Sequence, residues 1–389
     1  MPQPVAAAAA PAVAGTPWRA ALGGLLALAV AIGIGRFVYT PILPLMMSQR
    51  GLSGVAAGLI ASANFAGYLA GAVFAAGPWL PGSRRGWLIG GLAASAVTTG
   101  AMGVLHSLPA FLVLRFVGGA ASALVLILVS AIVLHHLAAA ARHELSAVLF
   151  AGVGAGIAGS AVLVSALAGA GANWSVLWRG SGALALVGAL ASAVLLPPEM
   201  PAPPPVRDHA AAPVDGRLMR LVAAYGLFGF GYVITATFLV AIVRSTPTIR
   251  PLEPVVWVVV GLAAMPSVGL WTMLGRRCGL PRAFALAAVV EAVGVLASVA
   301  WPSTAGVFVA SLMLGGTFMG LTALGLMRGR ELAHGAPHRV LAVMTIAFSL
   351  GQILGPSFAG ALSARLGSFM VPSMVAAAAL VVAAALTVV

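Results

Sequence analysis

The sequence predicts an all-α integral membrane protein of twelve transmembrane helices in two six-helix pseudo-symmetric bundles. Three observations carry this. Of 389 residues, 61% are hydrophobic and only 7% charged, where a soluble domain carries roughly 25% charged residues. The apolar residues fall in runs of about 20, the length that crosses a bilayer as a helix. Glycines in the last six runs repeat those of the first six at a near-constant offset.

The runs lie at 20–46, 53–77, 86–105, 109–134, 146–168, 177–196, 218–243, 254–275, 283–301, 304–327, 340–363 and 369–389. Gly, Pro and Arg clusters such as Pro81-Gly82-Ser83-Arg84-Arg85 separate them. Inside lipid each run must satisfy its own backbone, so helix is the workable conformation. The ~10-residue alternation of a membrane β-strand is absent. Residues 1–18, rich in Ala and Pro, are expected to form a disordered cytoplasmic tail. The proline-rich, charged stretch 197–217 reads as a cytoplasmic linker between an N-terminal bundle, 19–196, and a C-terminal bundle, 218–389.

All twenty basic residues are Arg, and the net charge is +13. With the N-terminus inside, thirteen Arg fall in inner loops, four in outer loops and three within spans. That bias places both termini in the cytoplasm, and the positive charge reads as topology rather than nucleic-acid binding. The chain has no Lys, hence no P-loop, and a single cysteine, Cys278, hence no internal disulfide. His135, His136 and His143 flank one loop but lack further converging ligands. The sequence therefore predicts no catalytic set, no metal and no cofactor.

The repeat is specific. Gly33-Ile34-Gly35-Arg36 in span 1 matches Gly229-Phe230-Gly231-Tyr232 in span 7 at offset 196. Gly118-Gly119 matches Gly315-Gly316 at 197, and Gly159 matches Gly355 at 196. Gly67 and Gly71, Gly152 and Gly156, and Gly351 and Gly355 have the spacing that lets helices approach and slide, or simply pack tightly.

Arg36 and Arg115 stand inside spans, where a charge costs roughly 2.5–3.5 kcal/mol by insertion scales. Among the acids only Glu291 lies within a span. No membrane carboxylate is thus available in the first half to pair with either arginine, and planar Arg suits carboxylate or phosphate recognition. The expected solute is a small anion. Glu291 is the candidate proton-binding group. Tyr39, Asn64, Tyr68, Tyr232, Thr235 and Gln352 are the candidate polar lining, able to hold solute or to join helices.

Residues 33–46, Gly-Ile-Gly-Arg-Phe-Val-Tyr-Thr-Pro-Ile-Leu-Pro-Leu-Met, resemble the first-helix signature of the YbfB/YjiJ-like branch of the major facilitator superfamily. Leu114-Arg115-Phe116-Val117-Gly118-Gly119-Ala120 is similar to that superfamily's fourth-helix motif. Two departures stand out. The stretch from Gly77 to Arg85 lacks the acid usual before the basic cluster, and span 5 lacks the Gly-Pro pair of antiporters. The resemblance implies a monomeric, multi-pass protein of the bacterial inner membrane. It would move a small solute by alternating access, driven by a proton or solute gradient. It implies a substrate or coupling role for Arg115 and a peripheral position for the helix carrying Glu291. A drug or sugar efflux permease, a membrane-embedded sensor and a His-dependent membrane enzyme are the alternatives.

Overall fold

The computed structural model describes residues 16–77, 80–199, 215–333 and 336–388. They form α1 (Pro17–Arg50), α2 (Gly54–Ala76), α3 (Arg84–Ala101), α4 (Leu108–Ala139), α5 (Ser146–Gly169) and α6 (Trp174–Leu195). The second six are α7 (Gly216–Ser245), α8 (Glu253–Cys278), α9 (Leu280–Ala300), α10 (Thr304–Glu331), α11 (Pro337–Leu366) and α12 (Met370–Val388). Eleven are long and apolar enough to cross a membrane on their own. The exception, α3, has 18 residues and opens on Arg84 and Arg85, which dilute its hydropathy. It still packs against α4 and α6 as a member of the first bundle.

Local chemistry sets the helix starts. Side chains of Ser53, Ser83, Ser107, Asn173 and Ser303 accept from backbone N–H groups one turn into α2, α3, α4, α6 and α10, satisfying donors the helix leaves orphaned. Gly51 and Gly367 take left-handed conformations that end α1 and α11. Several edges differ from those read in sequence. Pro17 opens α1, so residues 17 and 18 belong to the first helical turn and not to a tail, as suits a proline at the first helical position. Gly216 and Arg217, assigned to the linker, open α7 behind the Asp215 cap. Residues 1–15 of the expected tail and 200–214 of the linker lie outside the described residues.

Large apolar side chains such as Val97, Val113, Leu190 and Val194 cover the outer surface. A belt of this kind is stable against acyl chains and not against water, and the chain is a multi-pass membrane protein. Inside each bundle, glycines bring backbones into contact. Gly152 and Gly156 of α5 face carbonyls of Leu25 and Ala29 on α1, and Gly351 and Gly355 of α11 face carbonyls of Gly226 and Phe230 on α7. Gly67 and Gly71 lie on the carbonyls of Phe116 and Ala120 in α4. These three pairs therefore pack helices within a bundle and are not the seam along which bundles slide. The seam uses Gly54 and Gly58 of α2 against Gly360 and Pro356 of α11, and Gly154 of α5 against Gly261 of α8.

The pseudo-symmetry is visible in single residues. Ser107 and Ser303, 196 positions apart, cap corresponding helices. Gly119 sits on the Asn64 carbonyl of α2, and Gly315 on the Val260 carbonyl of α8. This aligns Gly119 with Gly315, again 196 apart, one residue from the pairing read in sequence. Thr40 of α1 donates to the carbonyl of Ala236 of α7 at 2.6 Å, so equivalent positions meet where the bundles cross.

Candidate functional site

The site begins with a broken helix. Ala29–Ile34 of α1 runs as a π-helical segment, with Gly35 N donating five residues back to Val30 O at 2.8 Å. Just beyond it, Pro41 has no N–H to offer Phe37 O. Thr40 N turns to Phe37 O instead, at 3.2 Å, and so leaves the carbonyl of Arg36 without its helical donor. Arg115 of α4 takes up the slack. Its Nη2 donates to Arg36 O at 3.0 Å and its Nη1 to Gly35 O at 2.8 Å. The guanidinium lies 5.2 Å from the Tyr39 ring. Asn64 of α2 donates to the main-chain oxygen of Arg115 at 2.9 Å, and the Tyr39 hydroxyl to Ala57 O at 2.9 Å. Arg115, Tyr39 and Asn64 thus form one buried polar layer inside the first bundle.

The Arg36 side chain points the other way, toward the second bundle. Its Nη2 donates to Gln352 Oε1 of α11 at 2.9 Å. The same amide donates through Nε2 to the Tyr232 hydroxyl of α7. The two repeat-equivalent positions, 36 and 232, are therefore joined through one glutamine. Phe65 and Tyr68 of α2 hold the guanidinium carbon at 4.6 and 4.5 Å from their ring centroids. Ring faces and one charged hydrogen bond together contribute about 2.5–5 kcal/mol, which matches the cost of burying the charge. Arg36 makes one side-chain hydrogen bond among the described residues, and its Nε is buried without a partner. No carboxylate pairs with it there; the three ion pairs are Arg142–Glu144, Arg244–Glu253 and Arg328–Glu331.

Aromatic side chains complete the surroundings. Phe37 packs edge-on against Phe318 of α10 at 5.7 Å, and Tyr232 stacks on Phe318 and Phe348 at 5.8 and 5.9 Å. Sequence reading missed Phe65, Phe318 and Phe348. Phe65 was findable, standing beside Asn64 and three positions before Tyr68; the other two were lost among many apolar residues.

Two predicted site residues stand apart. Thr235 of α7 is fully buried with its hydroxyl unpartnered. Glu291 of α9 is fully buried with neither carboxyl oxygen hydrogen-bonded. The nearby Thr317 hydroxyl of α10 donates to the carbonyl of Met313 and not to the carboxyl. Among the described residues, no three His, Cys, Asp or Glu side chains converge as metal ligands.

The hydrogen bonds and ring contacts between bundles lie at mid-depth or toward the face away from the chain termini. Ser62 of α2 bonds Ile353 O and Ser357, and Ser165 of α5 bonds Pro254 O of α8. At the face carrying Pro17 and Val388, no hydrogen bond, ion pair or ring contact joins the bundles among the described residues.

Residues 28–388 match the family model described as "Uncharacterised MFS-type transporter YbfB". The chain belongs to this family. It is a major facilitator protein by sequence, and its structure agrees. The crystal structure of the nucleoside transporter NupG is similar at TM-score 0.70 and 15% identity, covering 96% of this chain and 98% of that one. A bacterial homologue of the human lysosomal transporter Spinster, in an inward-facing and unoccupied conformation, is similar at TM-score 0.70 and 16% identity, covering 96% and 97%. Among curated proteins, none matches the sequence. The family and the fold are those of membrane transporters.

Proposed function

We propose that this transporter carries a small organic anion by alternating access, with Arg36 as the group that binds its charge. One observation carries the reading. A buried guanidinium stands where the bundles meet, with no carboxylate partner among the described residues, one hydrogen bond there and a buried, unpartnered Nε. A carboxylate arriving there supplies the missing counter-charge and accepts charge-assisted hydrogen bonds. The rings of Phe37, Tyr68 and Tyr232 favour a solute with an apolar or planar body. Gln352 and Tyr232 present the second bundle's polar groups to the same place, so a bound solute touches both moving parts.

With both termini cytoplasmic, as the arginine bias supports, the joined face is the outer one and the state is inward-facing. Arg115, Tyr39 and Asn64 serve as the mount that aims Arg36. Glu291 is the proton-binding group, and a proton gradient drives the cycle. The test is uptake into proteoliposomes of a panel of small carboxylates, neutral solutes and cations, with Arg36→Gln in parallel. Carboxylate uptake that the variant loses supports the reading. Uptake confined to neutral or cationic solutes, or equal carboxylate uptake by the variant, overturns it.

A further inference from the structure

A second concavity lies away from the bundle junction, at the terminal face of the second bundle. It has a volume of about 240 Å³ and is enclosed by the ends of α7, α9, α10 and α12. Its rim carries Arg217, Arg220 and Arg328, and its floor is apolar, with Leu221, Leu280 and Phe284 all buried. Arg328 is held by Glu331, whereas Arg217 and Arg220 make no ion pair with any described residue. α7 and α9 begin here while α10 and α12 end here, so the helix dipoles oppose one another and the arginines supply the positive potential.

The corresponding place in the first bundle makes the contrast. It is lined by Arg19, His136 and the end of α6, with a volume of about 220 Å³. There the single arginine donates to the carbonyl of Val194 and so closes the helix end. In the second bundle the arginines outnumber the local acid and sit over a greasy floor.

From this cavity we infer a binding site for a phosphate-bearing group. A cavity of this size is below the roughly 300–1,000 Å³ of ordinary small-molecule pockets, which suits a headgroup or a free phosphate better than a whole transported solute. Arg forks match phosphate oxygens in pairs, and basic pockets between helix ends are known places for anionic headgroups. The floor gives the first carbons of an acyl ester an apolar seat.

The experiment measures the melting temperature of the full chain in neutral detergent with added phosphatidylglycerol, phosphatidylcholine or inorganic phosphate. The Arg217→Gln/Arg220→Gln double variant is compared with Arg276→Gln/Arg277→Gln, which removes the same charge from exposed positions on α8. Leu386→Trp, which fills the cavity without changing charge, is the second probe of the site. Phosphatidylglycerol should raise the melting temperature more than phosphatidylcholine does. The first double variant and Leu386→Trp should lose most of that rise, and the α8 variant should keep it. An equal rise with inorganic phosphate assigns the site to free phosphate rather than lipid. No rise with either phosphate source, or equal loss in both double variants, overturns the proposal.

Discussion

Arg115 donates at 3.0 Å to the main-chain oxygen of Arg36, so one buried arginine holds the backbone on which the other is mounted. The two guanidiniums, alike in sequence terms, each leave Nε buried without a partner, but they face different ways. Arg115 gives both terminal nitrogens to carbonyls of its own bundle, whereas Arg36 gives one to Gln352 of the other bundle. Mutation separates them.

Arg36→Gln should abolish carboxylate uptake while leaving the melting temperature nearly unchanged. The ring and hydrogen-bond contacts of Arg36 roughly offset the cost of burying its charge, so losing both together should be near neutral. Losing a charged hydrogen bond to solute costs about 1.5–3 kcal/mol, or tenfold or more in affinity. Thermal unfolding and a binding isotherm on the same preparation check both halves.

Arg115→Gln should do the reverse first. It leaves the carbonyls of Gly35 and Arg36 buried and unpaired, a loss on the order of 3 kcal/mol. The melting temperature should fall clearly, and Arg115→Lys should restore part of it by reaching one carbonyl. A variant as stable as the parent would deny Arg115 its role as a strut.

Gly58→Ala and Gly67→Ala should differ in kind. A methyl at Gly58 meets the carbonyl of Pro356 across the seam, whereas one at Gly67 meets Phe116 within the first bundle. The first should part the bundles. In a Cys278→Ser background, a cysteine replacing Ser357 should then react faster with a soluble thiol reagent. The second should lower the melting temperature without changing that rate.

Glu291→Gln replaces a buried, unpartnered carboxyl by its isostere, so the fold should be kept. Accumulation of solute driven by a pH gradient should be lost, while exchange of labelled for unlabelled solute persists. Full gradient-driven accumulation by the variant would remove Glu291 from coupling.

The spans were legible because lipid enforces them. Only α3 sits near the limit, its two arginines standing at its start. Arg36 was legible because charge at that depth is rare and costly. Its contact with Gln352, 316 positions away, was not, because a polar residue in one span gives no sign of which helix it will face. The use of Arg115 was hidden for another reason. The carbonyls it binds are orphaned by a π segment and by Pro41, and only a residue-by-residue account of backbone donors exposes that debt. The loop before α3 holds no acid, yet Glu199, beyond the end of α6, accepts from the Ser83 hydroxyl there at 3.2 Å. A carboxylate from a distant stretch of chain thus reaches this loop, bonding the Ser83 hydroxyl and the Arg85 backbone N–H.

The π segment of α1 also sets an angle. An α-helix turns about 100° per residue, and a π segment is in effect one residue inserted into that rotation. Residues before Ala29 and after Ile34 therefore follow different phases around the same axis. The earlier part keeps its small residues, Gly23 and Gly24, against α5 and α6, and the later part swings Arg36 toward α11. Deleting one residue between Ala29 and Ile34 would straighten the hydrogen bonding and leave the hydropathy almost untouched. It would also rotate the guanidinium by roughly a quarter turn, out of line with Gln352.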